Sequence, residues 1–139
     1  MVNAQLRVVQ SGIKVCTRMI PGFNQLDYMT RLKRLNLWTL EERRNRADLI
    51  ELFKMYKGLS GIKLESMFEP STDSRTRGHS LKLKKHRSRL DLRKYFFSER
   101  VVNRWNDLEE VTVSATTINM FKPRLQRFRQ LKISFYTDT

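Results

Sequence analysis

Acid is scarce in this chain, and so are the residues that break helices. Only 14 Asp and Glu stand against 28 Lys and Arg in 139 residues, a net charge of +14. Five Gly and three Pro leave few turn residues and favour a mainly helical fold. One cysteine, Cys16, excludes an internal disulfide. No apolar run approaches the ~18 residues that a membrane helix requires. The opening MVNAQLRVVQSG lacks the long apolar stretch of a secretory signal. These shortages point to a nuclear or cytoplasmic chain that is not secreted and has no membrane partner. The length suits one folded unit with a real core.

What is abundant is positive charge, and it is not spread evenly. The stretch SRTRGHSLKLKKHRSRLDLRK (residues 74–94) contains Arg75, Arg77, Lys82, Lys84, Lys85, Arg87, Arg89, Arg93 and Lys94 against Asp91 alone, +8 of the chain's +14. Two readings stand side by side, a solvated charged loop and a grip on a polyanion. Clustering favours the grip, because a surface that needs only solubility intersperses both signs. A pI near 10.5 adds attraction to phosphates, which carries no sequence specificity. Tyr95 and Phe96, beside Arg93 and Lys94, are candidates to stack on unpaired bases, although aromatics that open a helix commonly belong to a core.

Apolar periodicity supplies the scaffold. Leu6, Val9, Ile13, Cys16 and Ile20 share a helical face that Pro21-Gly22 ends, which predicts a buried, inert Cys16. A short helix is expected over residues 25–35, with Arg31, Lys33 and Arg34 as a wet surface around Leu32. Thr39 and Glu42 have capping-box spacing, so a helix is predicted over residues 40–57, stopped by Gly58, with Trp38 stapled ahead of it. Ala47 and Ile50 lie on one line of that helix, Leu49, Phe53 and Tyr56 on its neighbour. Regularity fails after Gly58, where SLKLK alternates like a short strand with Leu81 and Leu83 on one side. Beyond the run, Ser98 is the expected cap of a helix that buries Val101, Val102, Trp105 and Leu108. A last helix puts Ile118, Phe121, Leu125 and Phe128 on one face behind Thr116 or Thr117, and Pro123 implies a kink or a later start. The expected organisation is a single domain over residues 1–139 with about five helices. It is helical over 5–58 and 95–131, with a basic loop or short hairpin at 59–94 and a short tail at 132–139.

Reactive constellations are missing. His79 and His86 with one distant cysteine do not make a zinc site of usual spacing, and both read as polar members of the basic run. There is no GxxxxGK[ST] or GxGxxG loop for a nucleotide. Glu41 and Glu42 suit a helix start, and no serine sits on a strand-to-helix elbow. The expectation is no catalytic residue, no metal, no cofactor and no small-molecule substrate.

Seven blocks in order carry a resemblance. They are VQSGIKVCTRMIPG (residues 9–22), YMTRLKRLNL (28–37), LWTLEERRNRADLI (37–50), FKMYKGLSGI (53–62), TRGHSLKL (76–83), FFSERVVNRWNDL (96–108) and INMFKPRL (118–125). Together they resemble the segment after the polymerase palm in LINE-type, non-LTR retrotransposon reverse transcriptases, above all the jockey and chicken-repeat-like group. The resemblance implies a thumb-and-beyond piece of an RNA-directed DNA polymerase. In that family the metal-binding aspartates, in a motif of the type [FY]-A-D-D, and an endonuclease lie upstream, and neither is in this chain. RADLI (residues 46–50) has one aspartate among arginines and is no substitute. Two positions depart from the family pattern, Glu109 where Pro usually follows Leu, and Pro123 where a helix-compatible residue is expected. The implied function is noncatalytic binding of RNA or DNA through the sugar–phosphate backbone. The alternatives are a helical module that docks on the missing palm, and a nonfunctional relic of an element.

Overall fold

Thr39 and Glu42 close the reciprocal pair that their spacing predicts. The Glu42 N–H donates to Thr39 Oγ1 at 3.1 Å, and the Thr39 N–H donates to Glu42 Oε2 at 2.8 Å. Two donors that a helix start leaves without partners are thereby satisfied. The computed structural model describes residues 2–73, 75, 77–86, 97–132 and 134–137, with side chains from Arg7 onward. The fold is mainly helical. Among the described residues there are six α-helices and no strand: α1 (Val2–Arg18), α2 (Tyr28–Arg34), α3 (Leu40–Tyr56), α4 (Phe97–Asn106), α5 (Glu110–Val113) and α6 (Ile118–Leu131). A 3-10 turn, Leu64–Ser66, lies between α3 and α4. Among the described residues, no helix is long and apolar enough to cross a membrane. Contacts divide the chain into Met1–Arg44 and Asn45–Thr139.

In Met1–Arg44, α1 and α2 pack together, and only part of the face that the apolar spacing suggests is covered: Ile13 and Ile20 are half-buried, while Val9 is exposed. Cys16 is exposed, which corrects the expectation of a buried thiol. The covered side of α1 is centred on Thr17, whose hydroxyl donates to the carbonyls of Ile13 and Lys14 and so tolerates burial. Arg31 is a second correction. It is buried at 3% exposure, and its two terminal nitrogens donate to the carbonyls of Leu26 (3.0 Å) and Lys14 (3.3 Å). A guanidinium there faces the negative end of the α1 dipole. Asp27 caps α2 by accepting the Thr30 N–H.

In Asn45–Thr139 the core gathers around Trp105, which is fully buried. Its indole stacks on Tyr56 (5.2 Å between centroids), meets Phe121 at a tilt (6.2 Å), and receives the edge of His79 (5.8 Å). Phe53 stacks on Phe121 at 4.2 Å. Val101, Val102, Trp105 and Leu108 are all buried, as their spacing predicts, and so are Phe121, Leu125 and Phe128. Thr117 is the cap of α6 and accepts the Met120 N–H at 3.2 Å. The helix starts at Ile118 and runs on past Pro123, so it does not begin late. Pro123 lies on an exposed side, as does Asn119, whose carbonyl the missing N–H would have served, so the loss falls at a position open to solvent. Helix α4 already includes Phe97, which puts Ser98 inside its first turn rather than ahead of it.

Two polar residues of α3 are buried because their partners come from far along the chain. Asp48 accepts from Arg100 at 2.6 and 3.0 Å, a two-pronged pair. Asn45 donates to the Tyr136 carbonyl at 2.7 Å, and the Tyr136 hydroxyl donates to the Leu125 carbonyl at 2.9 Å. Phe135 and Tyr136, from the stretch that read as a short tail, are therefore part of the core. Ala47, on the line it shares with Ile50, is exposed.

The capping box gives a local test. Thr39→Ala is expected to lower stability by about 1 kcal/mol in urea unfolding followed by circular dichroism. An unchanged midpoint would show that the box contributes nothing.

Candidate nucleic-acid interface

The basic run is not a loose loop where it is described. Residues 69–71 and 82–84 pair antiparallel through one bridge, Pro70 with Leu83. The Ser71 N–H donates to the Lys82 carbonyl at 2.9 Å, and the Lys84 N–H donates to the Glu69 carbonyl at 2.8 Å. Pro70 has no N–H to offer and occupies the position that needs none. The opposite edge of this strap is taken by side chains. Asn106 accepts the Leu83 N–H through Oδ1 (2.9 Å) and donates through Nδ2 to the Leu83 carbonyl (2.8 Å), as a neighbouring strand would. The Leu81 carbonyl accepts from Tyr56 Oη (2.9 Å) and Trp105 Nε1 (2.8 Å). Glu110 accepts the Ser80 N–H (2.7 Å) and hydroxyl (3.0 Å). Residues of α3, α4 and α5 thus fix a strap that sequence periodicity could only mark as irregular.

His79 locks the start of the strap. It is buried at 3% exposure, so it is not a polar member of the basic surface, as its neighbours suggested. Its Nε2 lies 2.7 Å from the Trp105 carbonyl, and its Nδ1 accepts the Leu81 N–H at 3.1 Å. Nε2 must then carry the proton and donate, which defines a neutral ring with both nitrogens occupied. Burial pushes its pKa below the ordinary 6.5. The Trp105 carbonyl and Glu110 oppose the shift, and Lys82 adds to it. The unfolded chain therefore binds a proton at a higher pH than the folded one. Stability from this site is complete above about pH 6.5 and is lost as pH falls from there toward the folded value. Thermal unfolding at pH 7.5 and 5.5 should show a drop that His79→Gln reduces, and an equal drop in the variant would remove His79 as the cause. Burial likewise raises the Tyr56 pKa to about 12, so its hydroxyl stays a donor to Leu81 at any physiological pH.

The strap turns its apolar side inward and its cations outward. Leu83 is buried and Leu81 half-buried, while Lys84 and Lys85 are exposed. Lys82 is half-buried, and its ammonium donates to the Arg77 carbonyl, crossing Gly78. Gly78 has φ +124°, a backbone conformation that favours glycine, and a Cβ there would meet only the flexible tip of Lys82, 2.6 Å from its Cε, which can swing aside. Lys84 pairs with Glu69 at 3.1 Å, with both side chains more than half exposed. Among the described residues, the exposed side chains of Arg75, Arg77 and Lys85 have no acidic partner. Five of the nine sequence candidates are therefore placed on this strap or at its approach. Arg87, Arg89, Arg93 and Lys94, and the stacking candidates Tyr95 and Phe96, lie outside the described residues.

The anchors are residues to which the sequence assigned no such role: His79, Asn106 and Glu110, together with the tip atoms of Tyr56 and Trp105. Their partners lie 23 to 30 positions away, and no local pattern announces them. Among the described residues, no group of three His, Cys, Asp or Glu side chains is arranged to hold a metal ion. Comparison of the chain with protein-family models, curated proteins and solved structures finds no match.

Proposed function

We propose that the chain is a noncatalytic nucleic-acid-binding element that grips the sugar–phosphate backbone of RNA, DNA or their hybrid through the basic run at residues 75–94. Its sequence blocks resemble the thumb-and-beyond region of non-LTR retrotransposon reverse transcriptases, where such a task belongs. The observation that carries the reading is the fixed strap with cations on its outer side. Phosphate contacts position a duplex without reading bases, which needs Lys and Arg at defined places and no base-edge code. Fixing the strap beforehand lowers the ordering cost of binding. The exposed Lys84–Glu69 pair is weak enough in water to yield to a phosphate.

Lysine footprinting tests this reading. With an RNA–DNA hybrid bound, acetylation of Lys84 and Lys85 should slow more than that of Lys33 and Lys122. Equal protection at all four, or none, would remove the strap as the contact.

A second reading, a helical module that docks on a polymerase palm, is supported by α1 and its end, where Val8, Val9, Val15 and, just past the helix, Met19 are exposed. Exposed apolar surface of this kind marks interaction sites. Concentration-dependent self-association of the isolated chain, abolished by Val15→Lys and Met19→Lys, favours it.

A further inference from the structure

We propose that Ser80 is a phosphorylation site for an arginine-directed protein kinase, and that its phosphate loosens the strap and cancels part of its charge. The stretch Arg75-Thr76-Arg77-Gly78-His79-Ser80-Leu81 puts guanidinium groups five and three positions before a hydroxyl and an apolar side chain directly after it. A kinase that selects basic substrates recognises that spacing with carboxylates, which arginine meets in a two-pronged geometry that lysine cannot reproduce. Three structural observations accompany the spacing. Ser80 is exposed, and Arg75 and Arg77 are exposed with no acidic partner among the described residues. The described residues from 71 to 81 belong to neither helix nor strand, so a kinase that holds them extended breaks no helix or ladder but must release the side-chain anchors of His79, Ser80 and Leu81. The Ser80 hydroxyl also does a job that a phosphate would end, because it donates to Glu110 Oε1 at 3.0 Å while the Ser80 N–H donates to Oε2 at 2.7 Å.

The chemistry balances with ATP as the co-reactant. Ser80 Oγ forms a bond to the γ-phosphorus, and the bond from that phosphorus to the β–γ bridging oxygen breaks. ADP leaves with the electron pair, and the hydroxyl proton passes to the kinase's base. The product replaces a hydroxyl donor with a group of charge near −2, set against the Glu110 carboxylate. Repulsion there undoes the Ser80–Glu110 anchor. The new anion also pairs with Arg77 and its cationic neighbours, which lowers the charge available to nucleic acid. This last consequence rests on the proposed function; the modification itself does not.

The experiment uses the full chain, a purified arginine-directed kinase and ATP, with mass spectrometry to locate the phosphate. Ser80 should be modified, and Arg77→Gln should slow its modification roughly tenfold or more. Ser80→Ala should lose that phosphate while keeping its thermal transition, and Ser80→Thr should regain it. Phosphate found only on other hydroxyls, or an Arg77→Gln rate equal to the parent's, overturns the site. Hydrogen exchange at the Leu81 amide should quicken in the phosphorylated chain, and unchanged exchange overturns the loosening. Binding to an RNA–DNA hybrid should show a salt dependence shallower by about two units of log–log slope. An unaltered slope overturns the charge effect. If unmodified protein binds no hybrid while Ser80 is modified and exchange quickens, the proposed function fails and the site stands.

Discussion

Trp105→Ala is expected to lower the unfolding free energy of Asn45–Thr139 by about 4 kcal/mol, the cost of removing a fully buried indole from a packed core. Three aromatic neighbours lose their common partner, since Tyr56, Phe121 and His79 all pack on that ring. Total stabilities of ~5–15 kcal/mol leave little margin for such a loss, so a broad or absent thermal transition is the expected readout. Trp105→Phe separates packing from hydrogen bonding. It keeps most of the ring but removes the donor to the Leu81 carbonyl, which Tyr56 still serves, and should cost only about 1–2 kcal/mol. A Trp105→Ala loss below about 1 kcal/mol in urea unfolding would show that Trp105 is not the centre of the core.

The second large effect concerns charge rather than packing. Replacing Arg75, Arg77, Lys82, Lys84 and Lys85 together by Gln should weaken binding to an RNA–DNA hybrid by about two orders of magnitude near 0.1 M salt, and flatten the log–log salt slope by about four. Stability should change by less than about 1 kcal/mol, because four of the five are exposed and their removal leaves the strap's backbone bonds in place. Isothermal titration or fluorescence anisotropy at several salt concentrations reads both quantities. An unchanged slope in a folded variant would move the footprint elsewhere on the chain.

What could be read from the sequence was what helices write locally. The Thr39–Glu42 box, the stop at Gly58 and the inward sets Val101, Val102, Trp105, Leu108 and Phe121, Leu125, Phe128 all follow from spacings of three and four, and the structure has them. The same arithmetic was only partly right on α1, where Ile13 and Ile20 are half-buried but Val9 is exposed, because an apolar stripe says which side a neighbour could cover and not which side one does cover. Thr17 and Arg31 are buried there with hydrogen bonds to carbonyls, while Cys16 stays exposed. No local spacing marks Asn45 and Asp48 for burial, because their partners, Tyr136 and Arg100, come from 91 and 52 residues away. His79 was hidden by its company. Nothing about a histidine among lysines and arginines distinguishes one that faces water from one whose ring locks a strap to Trp105. The positive run itself was plain in the sequence, but its fixed backbone was not, since Asn106, Tyr56 and Glu110 supply its anchors through side chains.

The most direct measurement is the affinity of the unmodified, folded chain for a short RNA–DNA hybrid at 50 and 200 mM salt. Six or more contacts from the run at residues 75–94 would weaken binding by about a thousandfold between the two concentrations. Cooperative unfolding of the same sample must accompany the titration. No association at the lower salt, or an affinity that hardly moves between the two, would contradict a cationic strap that holds phosphate strands.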